Sequence, residues 1–161
     1  MLLRELTDKD REPIEAILRN TPAFREIDIK IALELIDDRA TKREKSDYQF
    51  VVASDAETVL GYACYGPIPL TEESFDLYWL AVAPGRQRRK VGTSLMAKVI
   101  EQVIRQGGAR IYAETSSANE YAPARSFYAA SGFVEAARLP DFYRRNEAKV
   151  IYCLQLPHKN A

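Results

Sequence analysis

The sequence predicts a mixed α/β domain, with a sheet of about seven strands flanked by about four helices. The spacing of apolar residues alternates along the chain between the two-residue period of strands and the 3.6-residue period of helices. The changes fall at turn signals, Ser54-Asp55-Ala56-Glu57, Pro84-Gly85, Gly107-Gly108 and Gly132. The 161 residues, 47% hydrophobic and 29% charged, are enough for one buried core, so residues 1–161 are read as a single domain.

Leu2 to Leu6 reads as an opening strand. Thr7 and Asp10 follow at capping-box spacing, and Ile14, Ile17 and Leu18 share one helical face. A second amphipathic stripe, Ile27, Ile31, Leu35 and Ile36, leads into the polar run Asp37 to Asp47, read as a solvated connector. Tyr48–Ala53 and Thr58–Tyr65 are β-rich about a turn and predict an antiparallel hairpin ended by Pro67 and Pro69. Ser74–Ala83, with Phe75, Tyr78 and Trp79, predicts a buried central strand closed by Pro84-Gly85. Val91, Leu95, Met96, Val99, Ile100, Val103 and Ile104 recur at the helical period over Lys90–Gln106, which Gly107-Gly108 ends. Ala109–Glu114 reads as a strand, Pro123–Ala130 as a short helix capped by Gly132, and Phe133–Leu139 and Ala148–Leu156 as the last strands.

Composition narrows the function classes. No apolar run approaches the roughly 20 residues of a membrane span, and the charges in Met1–Asp10 interrupt any secretory signal, so a cytoplasmic protein with no membrane partner is expected. The 23 basic and 23 acidic side chains balance, which gives no reason to expect nucleic acid. Cys64 and Cys153 lie in strand-like runs and read as packing residues. His158, the one histidine, lies in a polar tail, so neither a Ser-His-Asp arrangement nor a metal site is expected. The sequence allows a homodimer without indicating one.

The strongest local feature is the join Val82-Ala83-Pro84-Gly85-Arg86-Gln87-Arg88-Arg89-Lys90-Val91-Gly92-Thr93-Ser94-Leu95, where a strand passes through a basic turn into a long helix. Free backbone N–H groups and the positive dipole end at a helix start favour phosphate oxygens, and Gly92 permits close backbone approach. The alternative is a solvated, positively charged turn.

Here the chain resembles the GNAT acetyltransferase superfamily, whose signature at this join is Gln/Arg-x-x-Gly-x-Gly/Ala; this chain has Gln87-Arg88-Arg89-Lys90-Val91-Gly92, with Lys90 at a glycine position. Val82-x-Pro84, Leu60-Gly61-Tyr62-Ala63, and Phe127-Tyr128 followed by Gly132-Phe133 extend the resemblance over roughly residues 1–156. It implies a mostly antiparallel sheet with a splayed parallel pair at its centre, Ser74–Ala83 and Ala109–Glu114. It also implies acetyl coenzyme A as cosubstrate and an amine acceptor that attacks directly in a ternary complex; the sequence shows no metal-ligand cluster, so no metal is expected. The residues it assigns to the cosubstrate are Leu80, Ala81 and Val82 on the strand, Gln87, Arg88, Arg89, Lys90, Val91, Gly92, Thr93 and Ser94 at the turn and helix, and Tyr128. Tyr128 is also where the resemblance implies the general acid for the leaving thiolate.

Asp76, eleven residues before Gln87, falls where some GNAT enzymes carry a base; aspartate starts near pKa 3.9 and needs burial or a relaying water to serve near neutrality. Glu114 is a rival base. The family asparagine seven residues before the tyrosine is Tyr121 here, and Asn119 does not match the motif. Tyr65, Tyr121, Phe142 and Tyr143, with Glu120 and Asp141, are candidates for the acceptor pocket or for ordinary packing under loops. The competing function is a GNAT-like module that senses acyl coenzyme A without turnover.

Overall fold

The computed structural model describes residues 1–86 and 90–157. In chain order the elements are β1 (Leu2–Arg4), α1 (Arg11–Arg19), α2 (Glu26–Lys42), β2 (Gln49–Asp55), β3 (Thr58–Pro67), β4 (Ser74–Val82), α3 (Val91–Arg105), β5 (Arg110–Ser116), α4 (Ala122–Ala130), β6 (Val134–Arg144) and β7 (Glu147–Gln155), with short 3-10 turns between some of them. The seven strands form one sheet in the order β1-β2-β3-β4-β5-β7-β6. The pair β4–β5 is parallel, with Ser74–Leu77 set against Arg110–Ala113, while β4 continues past this ladder to Val82 and β5 to Ser116. The element order and the mostly antiparallel mixed sheet agree with the sequence reading.

The chain groups into two compact units, Met1–Gly66 with Tyr78–Glu101 and Pro67–Leu77 with Gln102–Ala161. In the first, Ile14, Ile17 and Leu18 of α1 and Ile29, Ala32, Leu33 and Ile36 of α2 pack with Phe50, Val52, Tyr62 and Ala81 of the strands. The buried Asp10 starts α1, accepting bidentate hydrogen bonds from Arg4 at 2.7 Å each and one from the Thr7 backbone N–H at 2.7 Å. These bonds outweigh the cost of desolvation and hold the Asp10 carboxyl below its ordinary pKa.

Three sequence expectations need correction. The buried face of α2 is the set Ile29, Ala32, Leu33 and Ile36, while Ile27 and Ile31 are 53% and 42% exposed. The polar run after Ile36 continues the helix to Lys42, supported by Asp38 and Lys42 one turn apart at 2.5 Å, before a 3-10 turn at Arg43–Lys45. β6 extends through Pro140 to Arg144, because Pro140 falls on an edge strand where the ladder to β7 is interrupted between Leu139 and Arg144.

Both helices that precede a strand of the second unit end by the same device. Gly107 and Gly132 adopt φ of 82° and 90°. The pairs Gly107 N–H to Ile104 O with Gly108 N–H to Val103 O, and Gly132 N–H to Ala129 O with Phe133 N–H to Tyr128 O, satisfy the last carbonyls of α3 and α4.

Gly61 brings β3 against β4. A Cβ there would meet the Ala81 carbonyl oxygen at 2.7 Å and the Val82 Cα at 3.2 Å, and beside this approach the Ala83 N–H donates to Leu60 O at 2.8 Å. The obstruction is backbone, so it cannot be relieved by a rotamer change. Gly61→Ala is expected to destabilise the fold by about 1–3 kcal/mol through overpacking, measured by urea denaturation; an unchanged midpoint would contradict the contact.

Candidate active site

The strand-to-helix join begins with a β-turn in which Arg86 N–H donates to Ala83 O at 3.0 Å. Pro84 and Gly85 occupy its corners, and Gly85 has the positive φ, 77°, that a type II turn asks of its second corner. Gln87, Arg88 and Arg89 lie outside the described residues. Lys90 is exposed and holds φ at 61°, in the left-handed region that favours glycine. Its carbonyl accepts the Ser94 N–H at 2.9 Å, a bond of the first helical turn. The amides of Val91, Gly92 and Thr93 precede that donor and so have no partner within their helix. Val91 and Gly92 are buried while Thr93 is exposed. A helix start whose first amides have no acceptor among the described residues, entered by left-handed backbone, suits an anionic oxygen. These residues and Leu80, Ala81 and Val82 of β4 belong to the first unit.

The other assigned residues belong to the second unit. Asp76 is half-buried on β4 and faces Tyr112 of β5 in the parallel register, so Glu114, two residues on, shares its face of the sheet. Burial, then the charge of Glu114, push the Asp76 carboxyl up to about 6, against a smaller opposing effect of Lys149. Glu114 pairs with the Lys149 ammonium at 2.6 Å. The two candidate bases thus share one face in unlike surroundings.

Tyr128, on α4, packs against Phe127, Phe133 and Tyr152 with ring centroids 6.0, 5.5 and 5.6 Å away. Desolvation pushes its phenol up to about 12, so it stays protonated through neutral pH. Tyr65 is buried within β3 rather than in a loop, and Phe142 and Tyr143 lie on β6 and are half exposed. Asn119 begins a 3-10 turn, where it is exposed. Cys64 and Cys153 are free and buried, as packing residues would be.

Comparison with known proteins decides the family. The model of the Acetyltransferase (GNAT) family matches residues 13–133. A solved structure of a GNAT-family protein from Desulfovibrio desulfuricans is 39% identical, with a TM-score of 0.90 over 96% of this chain and 98% of that one. The chain belongs to the GNAT acetyltransferase family. Other GNAT structures share the fold at lower identity. The ribosomal-protein-S18-alanine N-acetyltransferase of Escherichia coli has a TM-score of 0.76 at 21% identity, over 99% of this chain and 97% of that one. An aminoglycoside 6'-N-acetyltransferase complexed with coenzyme A has a TM-score of 0.78 at 17% identity, over 99% and 100%. No curated protein matches.

GNAT membership gives the departure at Lys90 its physical content. The residue adopts a conformation for which the family's glycine pays no steric penalty, at a cost of about 1–2 kcal/mol for a side chain with Cβ. Sequence reading missed Lys149; the available signal was a charged residue near the start of the apolar run Ala148–Leu156. Lys90→Gly is expected to stabilise the fold by about 0.5–1 kcal/mol after allowing for the freer unfolded chain, raising Tm by about 1–4 °C in a calorimetric scan. A fall in Tm would mean that Lys90 makes compensating interactions.

Proposed function

We propose that this GNAT protein is an N-acetyltransferase that moves an acetyl group from acetyl coenzyme A to a primary amine of a small molecule or peptide, by direct attack in a ternary complex. The observation that carries the reading is Asp76, half-buried on β4 and sharing a face of the sheet with Glu114, where burial pushes its carboxyl up to about 6. A primary alkylamine is mostly protonated at neutral pH, and only its neutral form attacks. A carboxylate near 6 is largely ionised at pH 7, yet it accepts a proton more readily than an ordinary aspartate does. A module that only senses acyl coenzyme A has no need of such a group.

Bound acetyl coenzyme A supplies an electrophilic thioester carbonyl and a thiolate leaving group. The turn and helix start, Gln87 to Ser94, would hold its phosphates, with the amides of Val91, Gly92 and Thr93 as donors beside the basic side chains. Leu80, Ala81 and Val82 would receive the pantetheine arm along the β4 backbone. A backbone N–H there would stabilise the oxygen on which charge develops. Asp76 takes the amine's proton, directly or through water. Tyr128 donates its phenolic proton to the departing sulfur, and its apolar surroundings keep that proton in place beforehand.

The two roles separate by substitution. With an amine that is acetylated by the wild type in a coenzyme A release assay, kcat/KM is expected to fall about tenfold per pH unit below about 6. Asp76→Asn should lower kcat/KM at pH 7 by about 10²–10⁴-fold and remove the break near 6, leaving the amine's own ionisation to set the pH dependence, and Tyr128→Phe should lower kcat by a comparable factor while calorimetric coenzyme A binding persists. Burial penalises ionised Asp76, so stability at neutral pH should not suffer from Asp76→Asn. Coenzyme A binding without release across a broad amine panel would favour the sensor, and full activity of either variant would reject its assigned role.

A further inference from the structure

The face of the second unit that carries Asp76 holds a third charged group that the reaction above does not use. Lys149 of β7 lies opposite Ser116 of β5, diagonally across the strands from Glu114. Its Nζ is 2.6 Å from Glu114 Oε2 and 4.2 Å from the ring centroid of Phe142 on β6. Phe142 is met edge-on by Tyr143, with centroids 5.0 Å apart. The Lys149 side chain is 17% exposed and that of Glu114 49%. An ammonium on a four-carbon stem ordinarily stays hydrated and samples many rotamers; here a carboxylate on one strand and an aromatic ring on another fix its position.

We propose that Lys149 is a positioning residue for acetyl transfer: pinned between Glu114 and Phe142, it neutralises Glu114 and leaves Asp76 as the carboxylate of this face that takes the acceptor's proton. The inference rests on the role proposed for Asp76. It gives the rival carboxylate a different task, since one Glu114 oxygen already accepts from an ammonium and is not free to face an incoming amine.

The titratable and charged groups around Asp76 in this unit are few. Tyr112 is its register partner and Glu114 follows on the same face; Cys153 stands opposite Tyr112 on β7, with Lys149 further along that strand. Arg110, at the start of β5, is paired with Glu73 at 3.8 Å. Glu114 and Lys149 act on Asp76 in opposite directions, the carboxylate raising its proton affinity and the ammonium lowering it. Removing either charge should therefore move Asp76 in opposite senses, and a positioning role, unlike a purely structural ion pair, requires the acidic limb of kcat/KM to move with it.

The test is a 13C NMR titration of the Asp76 carboxyl in the whole protein, accompanied by the pH profile of kcat/KM. Lys149→Met should raise the Asp76 midpoint by about half a pH unit and Glu114→Gln should lower it by a similar amount, the size expected of one nearby charge in partly hydrated protein. Lys149→Arg, which keeps the charge, should return the midpoint toward that of the wild type, and the acidic limb of kcat/KM should follow the same order. Unchanged midpoints, or shifts of the same sign for Lys149→Met and Glu114→Gln, overturn the proposal while leaving an inactive Asp76→Asn variant, and with it the base role, intact. An Asp76→Asn variant with undiminished turnover removes the base role and this proposal together.

Discussion

Two carboxylates on the same face of neighbouring strands repel each other, and where water is partly excluded that repulsion is screened less than at an open surface. The parallel register of β4 and β5 imposes this arrangement on Asp76 and Glu114. A one-residue slip in the register would turn one of them to the other face of the sheet. The chain resolves the conflict unequally: Glu114 receives an ammonium, and Asp76 receives burial. Two residues that are chemically alike thus diverge through their neighbours alone.

Other features fix the elements around them. Gly61 permits β3 to approach β4 where Leu80, Ala81 and Val82 lie, and the glycine-terminated ends of α3 and α4 return the chain into β5 and β6 through short connections. Asp10 anchors Arg4 and the first turn before α1, far along the sequence from the proposed chemistry. The strand and helix start assigned to the cosubstrate belong to the first unit, and the candidate proton carriers to the second.

Much of this was legible in the sequence because the responsible signals are local. Caps, turn residues and periodicity identified the order of elements, and the basic turn with Phe127-Tyr128 pointed to the family. The misreadings have physical causes. The buried face of α2 is not fixed by its sequence, because Ile27 and Ile31 are as apolar as the buried Ile29 and Ile36, and only tertiary packing selects among them. The end of α2 was misplaced because a polar run can be a solvated helical turn held by side-chain pairs as well as a loop. The length of β6 is not local information, because Pro140 is tolerated only where an edge strand's ladder is interrupted, a property of the sheet. The role of Lys149 has no local signal, because its partners, Glu114 and Phe142, are distant in sequence and meet it only through strand pairing.

At position 90 the chain exchanges a residue with easy backbone freedom for one that carries a positively charged side chain into solvent. A glycine there would act on an approaching polyanion only through close contact with its main chain, whereas the exposed Lys90 ammonium attracts at a distance, over a range that shrinks as ions are added, about 8 Å at physiological ionic strength. Encounter with a phosphate-bearing ligand thereby acquires a dependence on ionic strength that the strained backbone alone would not confer.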